Sequence, residues 1–211
     1  MDVTFHGAAG KLEGYLTIPS SGMSNPGVVV CHPHPLMGGN MHNNVVIGIC
    51  YALERFGIAS LRFNFRGVGK SDGIYDDGEG ETEDASEALK FLTSNEEIDQ
   101  HKIGITGYSF GAGIAMKVAL RNDIAKALSV VARARLDPEN DLSMRSYLPI
   151  QFVVGNQDKL MSQDQIKELK DKLTIPVEMC VIPNADHFFQ GRESEAGELV
   201  ANFFRRWIGN V

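Results

Sequence analysis

The chain has 211 residues, 43% of them hydrophobic and 22% charged, ordinary globular values that argue against disorder and leave enough length for a substantial core. A net charge of −7 argues against a nucleic-acid or anionic-membrane surface, because both need concentrated Lys and Arg. Cys31, Cys50 and Cys180 are odd in number and widely spaced, with neither a zinc pattern nor a disulfide framework, which suits a reducing cytoplasm.

No signal peptide and no apolar run long enough to span a bilayer is visible, and no linker or repeat interrupts residues 1–211, so one domain is expected. Residues 3–6 and 11–18 alternate in hydropathy and predict a hairpin with its turn at 7–10. Residues 19–26 are a loop rich in Ser, Gly, Asn and Pro. Residues 27–31, Gly-Val-Val-Val-Cys, read as a fully buried strand, followed by a polar, Gly-rich loop. A helix over 43–56, closed by Gly57, leads to a strand over 58–65 and an acidic loop over 72–80. Ala85, Ala88, Leu89 and Leu92 stand at helical spacing within 81–93. An apolar run from Lys102 then enters Gly107-Tyr108-Ser109-Phe110-Gly111, with helix-like sequence over 114–121. Strands over 125–131 and 150–154 flank an irregular stretch at 132–148. A helix over 163–173, a strand over 176–182 and an amphipathic helix over 193–208 close the chain, with Leu199, Phe203, Phe204 and Trp207 on the last helix's core side.

Strands alternating with helices imply an α/β fold, a mainly parallel sheet covered on both faces, with the N-terminal hairpin adding antiparallel strands at one edge. Active sites in such sheets lie at the carboxyl ends of the strands. The Ser109 turn, the loop after Cys31 and the loop after Val154 should therefore gather on one edge.

Gly-x-Ser-x-Gly between a strand and a helix is the setting of a nucleophile elbow, which exposes the Ser109 hydroxyl above the sheet. A serine nucleophile needs a base, and the base needs an acid that fixes its tautomer. The chain order Ser, acid, His leaves only His187, in the loop after the last strand. Of the aspartates between them, Asp158 alone follows a buried strand within a few residues; Asp186, adjacent to His187, is poorly placed to bond it. An oxyanion hole needs converging N–H groups, one from Phe110 and one from the loop His32-Pro33-His34-Pro35-Leu36. Pro33 and Pro35 have no N–H, which leaves His34 or Leu36. The His32 and His34 side chains are expected to shape that loop by hydrogen bonding.

Two competing signals are weak. Asn64 to Ser71 is nearly a phosphate-binding loop but lacks the first defining glycine and a helix starting at Lys70-Ser71. His32, His34 and His42 have no further ligand at metal spacing, so no metal is expected.

The chain resembles the α/β-hydrolases, and within them the small lidless branch carrying His-Pro-His-Pro-Leu-x-Gly-Gly, Arg-Phe-Asn-Phe-Arg-Gly-x-Gly-x-Ser and Gly-Tyr-Ser-Phe-Gly. These stand here at 32–39, 62–71 and 107–111, with Asp158 and Ala185-Asp186-His187-Phe188-Phe189 completing the set over almost the whole length. The branch is mostly known as generic serine hydrolases and esterase-like proteins. Its dienelactone hydrolase relatives carry Cys at the nucleophile, so Ser109 favours ordinary ester chemistry. Relatives usually read Gly-Asp-x-Asp, an apolar pair and Pro; this chain has Gly155-Asn156-Gln157-Asp158-Lys159-Leu160, which keeps the acid. The stretch 132–148, with Arg133, Arg135 and Arg145, lies where larger relatives insert lids but is too short for one.

The resulting expectation is a cytoplasmic serine hydrolase that cleaves small carboxylic esters or thioesters through an acyl-enzyme, without cofactor or metal. Its partner would be that small-molecule substrate, with no nucleic acid and no membrane, and the sequence admits a homodimer. A peptidase or amidase on the same triad, or a non-catalytic scaffold binding a ligand or partner, stands as the alternative.

Overall fold

A computed structural model describes residues 1–19, 24–133, 147–160, 164–165, 167 and 177–209. The strands in chain order are β1 (Asp2–Gly7), β2 (Gly10–Thr17), β3 (Asn25–Cys31), β4 (Ala59–Phe63), β5 (Ile98–Tyr108), β6 (Ala127–Val131), β7 (Ile150–Gly155) and β8 (Val177–Ile182). Among the described residues, the α-helices with complete bounds are α1 (Asn44–Arg55), α2 (Glu79–Thr93), α3 (Phe110–Arg121) and α4 (Glu193–Ile208). All eight strands join one sheet in the order β1-β2-β4-β3-β5-β6-β7-β8. Both pairings of β2 are antiparallel and every other pairing is parallel, so the hairpin sits at one edge as expected.

Strand residues alternate between faces with period two, and the central strands are apolar on both. Leu61, Phe63, Ile105 and Phe152 pack beneath α2 and α3. Val28, Val30, Val131 and Val153 pack beneath α1 and α4, against Ile49, Leu53, Val200 and Phe204. Each such side chain, fully buried, contributes roughly 1.5–3 kcal/mol. Phe203 and Phe204 of α4 are buried as its amphipathic pattern predicts, but Trp207 is half-exposed. It lies in the last turn of the helix, where its ring meets Phe203 with centroids 6.5 Å apart.

Helix caps follow local chemistry. The Asn43 side chain accepts the Val45 N–H at 3.0 Å and starts α1. Glu81 reaches back to accept the Gly78 N–H at 2.8 Å, and α2 begins two residues earlier than its apolar spacing suggests. Two further boundaries differ from expectation near the sheet's carboxyl edge. The strand expected over 58–65 ends at Phe63: the Asn64 N–H still donates to the Glu13 carbonyl in register with β2, but the next N–H, that of Phe65, donates to the His32 ring. Helix α3 starts at Phe110, not at Ile114, directly after Ser109. The stretch 134–146 and most of the helix expected over 163–173 lie outside the described residues. Among the described residues, no helix is long and apolar enough to cross a membrane. The three cysteines are unpaired.

Candidate active site

Ser109 stands between the end of β5 and the start of α3 with φ 55° and ψ −112°. A non-glycine residue there is strained, by about 1–3 kcal/mol, and persists only where its surroundings over-determine it. Its N–H donates to the Val131 carbonyl at 2.9 Å, one strand away. Glycines make the crossing feasible: a Cβ on Gly111 would collide with the carbonyls of Cys31 and His32, and one on Gly107 with the Gly111 carbonyl.

The Ser109 Oγ lies 3.0 Å from His187 Nε2, and His187 Nδ1 lies 2.8 Å from Asp158 Oδ2. A carboxylate can only accept, so Nδ1 carries the proton and Nε2 is left to accept from the serine hydroxyl. Asp158 is buried just beyond β7, and its other oxygen accepts the Leu160 N–H at 2.8 Å. His187 follows β8 in a loop closely tied to β7. The Gln157 N–H donates to the Ala185 carbonyl at 2.9 Å, the Asn184 N–H to Asn156 Oδ1 at 2.7 Å, and a Cβ on Gly155 would collide with the Ala185 carbonyl. The Tyr108 hydroxyl donates to the His187 carbonyl at 2.9 Å, anchoring the histidine to the residue before the serine. Burial raises the Tyr108 pKa to about 12, and so it stays a donor. Tyr108 has no signal in the sequence beyond its place in the elbow.

The loop after β3 is built around two histidines. His32 is fully buried; its Nε2 accepts the Phe65 N–H at 3.1 Å and its Nδ1–H donates to the Pro33 carbonyl at 2.7 Å. Burial lowers its pKa from 6.5 to about 4, against the opposing hydrogen bond to Pro33. Between these values the unfolded chain binds a proton that the native one refuses, so stability is full above about pH 6.5 and falls as pH drops toward 4. His32 alone should remove about 2–3 kcal/mol between pH 7.5 and 4.5. Urea unfolding at the two pH values checks this: His32→Asn, which cannot charge, should lose that much less stability on acidification than the wild type. Equal losses would refute it.

His34 behaves differently. Its Nδ1 accepts the Leu36 N–H at 3.3 Å, and its Nε2 faces the Tyr75 hydroxyl at 3.4 Å. Its ring packs on Phe110 (4.8 Å between centroids) and Tyr75 (5.2 Å), forming an aromatic wall beside Ser109. The Leu36 N–H is thus engaged, and the Met37 N–H donates to the His34 carbonyl at 3.0 Å. The N–H groups of His34 and Phe110 meet no acceptor among the described residues.

Tyr75 is carried by the loop after β4, which is locked from beneath. Arg66 donates to the buried Asp84 through its N–H, Nε and Nη2 at 2.9, 3.0 and 2.8 Å. The near phosphate loop in this segment is filled by the protein itself. The Glu13 carboxylate accepts the Lys70 N–H at 2.9 Å and Asn64 Nδ2 at 2.8 Å, where an anion would have to sit.

Residues 74–207 match the dienelactone hydrolase family. An uncharacterized protein of Rickettsia prowazekii is 35% identical over 209 residues, 95% of this chain and 87% of its own length. The structure of an alpha-beta serine hydrolase homologue from Coxiella burnetii has a TM-score of 0.84 and 38% identity over 96% of both chains. A lidless α/β serine hydrolase from Xanthomonas campestris has a TM-score of 0.86 at 26% identity, over 100% of this chain and 96% of that one. The chain has the α/β-hydrolase fold and belongs to the dienelactone hydrolase family of hydrolases.

Proposed function

We propose that the protein is a serine esterase that cleaves small carboxylic esters or thioesters. Ser109 attacks the carbonyl carbon while His187 Nε2 takes its proton, and Asp158 holds the imidazole and stabilises its positive charge. The N–H groups of Phe110 and His34 receive the developing oxyanion; each such donor is worth about 10²–10³ in rate. His34 is preferred to Leu36 because the Leu36 N–H already donates to the His34 ring. His187 then hands its proton to the leaving alcohol or thiol, which departs and leaves an acyl-enzyme. A water, deprotonated by the same histidine, hydrolyses it and restores Ser109, so no cofactor enters the cycle. The three free cysteines support a reducing compartment such as the cytoplasm.

The observation that carries this reading is the unbroken hydrogen-bonded run from Ser109 through His187 to Asp158, with the serine held at positive φ. A fluorophosphonate should label the wild type at one site, the tryptic peptide containing Ser109, and p-nitrophenyl butyrate should be turned over. The corresponding anilide should react at least ~100-fold more slowly, since its leaving group is harder to expel. A folded protein that takes no label and hydrolyses neither would sink the esterase reading in favour of a ligand-binding scaffold. Comparable anilide turnover would make it an amidase.

A further inference from the structure

We propose that Phe188 forms the platform for the leaving group, and that the site selects esters of apolar, neutral alcohols. The proposal rests on the esterase reading of Ser109, His187 and Asp158. Chemistry fixes where the leaving group passes: its oxygen takes the proton from His187 Nε2 and must come within about 3 Å of it. Whatever side chain flanks the His187 ring therefore flanks the alcohol.

Two rings flank His187, Tyr108 at 5.8 Å and Phe188, and Tyr108 is buried, which leaves Phe188 open to the alcohol. Its ring stands edge-to-face on the His187 ring, with centroids 5.6 Å apart and planes at 88°. It is nevertheless 66% exposed. Its segment is well tied down: the Phe188 N–H donates to Asp186 Oδ1 at 2.9 Å, the His187 carbonyl accepts from Tyr108, and Phe189 is fully buried. The fold thus holds an exposed aromatic ring against the imidazole that protonates the leaving alcohol.

The loops that carry the site share that character. Leu160, whose N–H binds Asp158, is 71% exposed, and Leu36 and Met37 of the loop after β3 are 72% and 84% exposed. Among the described residues, ten large hydrophobic side chains are exposed, and four of them lie on the three loops that surround Ser109. Single exposed apolar side chains are ordinary, but a cluster around one cleft marks a binding surface. Charge points the same way. Asp186 accepts the Phe188 N–H, so an anionic group lying on Phe188 would meet like charge, whereas a neutral apolar one would not.

The test compares benzyl butyrate with ethyl butyrate by pH-stat, because the two alcohols have similar acidity and the acyl group is held constant. Half-burying a phenyl ring on Phe188 should raise kcat/KM about tenfold for the benzyl ester in the wild type. In Phe188→Ala the benzyl-to-ethyl ratio should fall to about 2 or less, while Phe188→Tyr should restore most of it. A wild-type ratio near one, or a ratio unchanged in Phe188→Ala, overturns the platform alone. If Phe188→Ala does not fold or turns over neither ester, inhibition of the wild type decides: benzyl alcohol must inhibit at least about fivefold better than ethanol, and equal inhibition overturns the proposal. A folded wild type inactive on both esters and on p-nitrophenyl acetate overturns the esterase reading, and the platform with it.

Discussion

Ser109→Ala should lower kcat on p-nitrophenyl butyrate by about 10⁵- to 10⁶-fold and abolish fluorophosphonate labelling, with the fold intact. The expected loss is large because the nucleophile and its base act as one unit; what survives is the contribution of the oxyanion N–H groups and of binding. Alanine keeps the Cβ at φ 55°, so the backbone strain is unchanged, and only the 3.0 Å hydrogen bond to His187 is lost. The melting temperature should therefore move by no more than a few degrees. Ser109→Gly gives a control of opposite sign. It is as inactive, but glycine accepts positive φ without penalty, so it should be about 1 kcal/mol more stable than Ser109→Ala. Residual activity within tenfold of the wild type would remove Ser109 from the chemistry. A glycine variant less stable than the alanine one would refute the account of the elbow as strained.

The parts of the chain that were readable beforehand are those in which local sequence and tertiary role agree. Buried strands such as Val28-Val29-Val30 show as uninterrupted apolar runs, and α4 shows as an amphipathic helix with both its bounds legible. Chain order points to Ser109, Asp158 and His187, and in the structure His187 lies within hydrogen-bonding distance of both Ser109 and Asp158. What failed depends on contacts distant in the chain. Phe65 continues the apolar strand pattern, yet the buried His32 ring captures its N–H and the chain turns away from the ladder into the loop that carries Tyr75. The segment Phe110-Gly111-Ala112-Gly113 has poor helix propensity, but close packing on the Cys31 and His32 carbonyls demands glycine where the helix begins. The choice between the His34 and Leu36 N–H groups is not legible in the sequence because it turns on where one imidazole points, which no spacing rule encodes. The support from Tyr108 and Tyr75 has no sequence signature for the same reason: each acts through a hydroxyl or ring face on a partner far along the chain.

The second large effect should come from Asp158→Asn, a change that alters neither volume nor hydrogen-bond count. Asp158 Oδ1 accepts the Leu160 N–H, and this bond would orient the asparagine, since only its carbonyl oxygen can accept. The amide nitrogen is then turned toward His187 Nδ1, where Asp158 Oδ2 now accepts at 2.8 Å. An N–H facing Nδ1 forces that nitrogen to accept, and the imidazole proton moves to Nε2, the atom that must take the proton of Ser109. The serine is left beside a donor and cannot be activated. At neutral pH kcat should fall by about 10⁴-fold while KM changes little, because the defect lies in the tautomer and not in the binding surface. Asp158→Ala should be less damaging than its greater structural disruption suggests, since nothing then imposes the wrong tautomer and water can enter to accept from Nδ1. Fluorophosphonate labelling rates should follow the same order, slowest for the asparagine variant. A kcat for Asp158→Asn within tenfold of the wild type would mean that Asp158 does not set the protonation of His187, and the acid would have to be sought elsewhere on the carboxyl edge of the sheet.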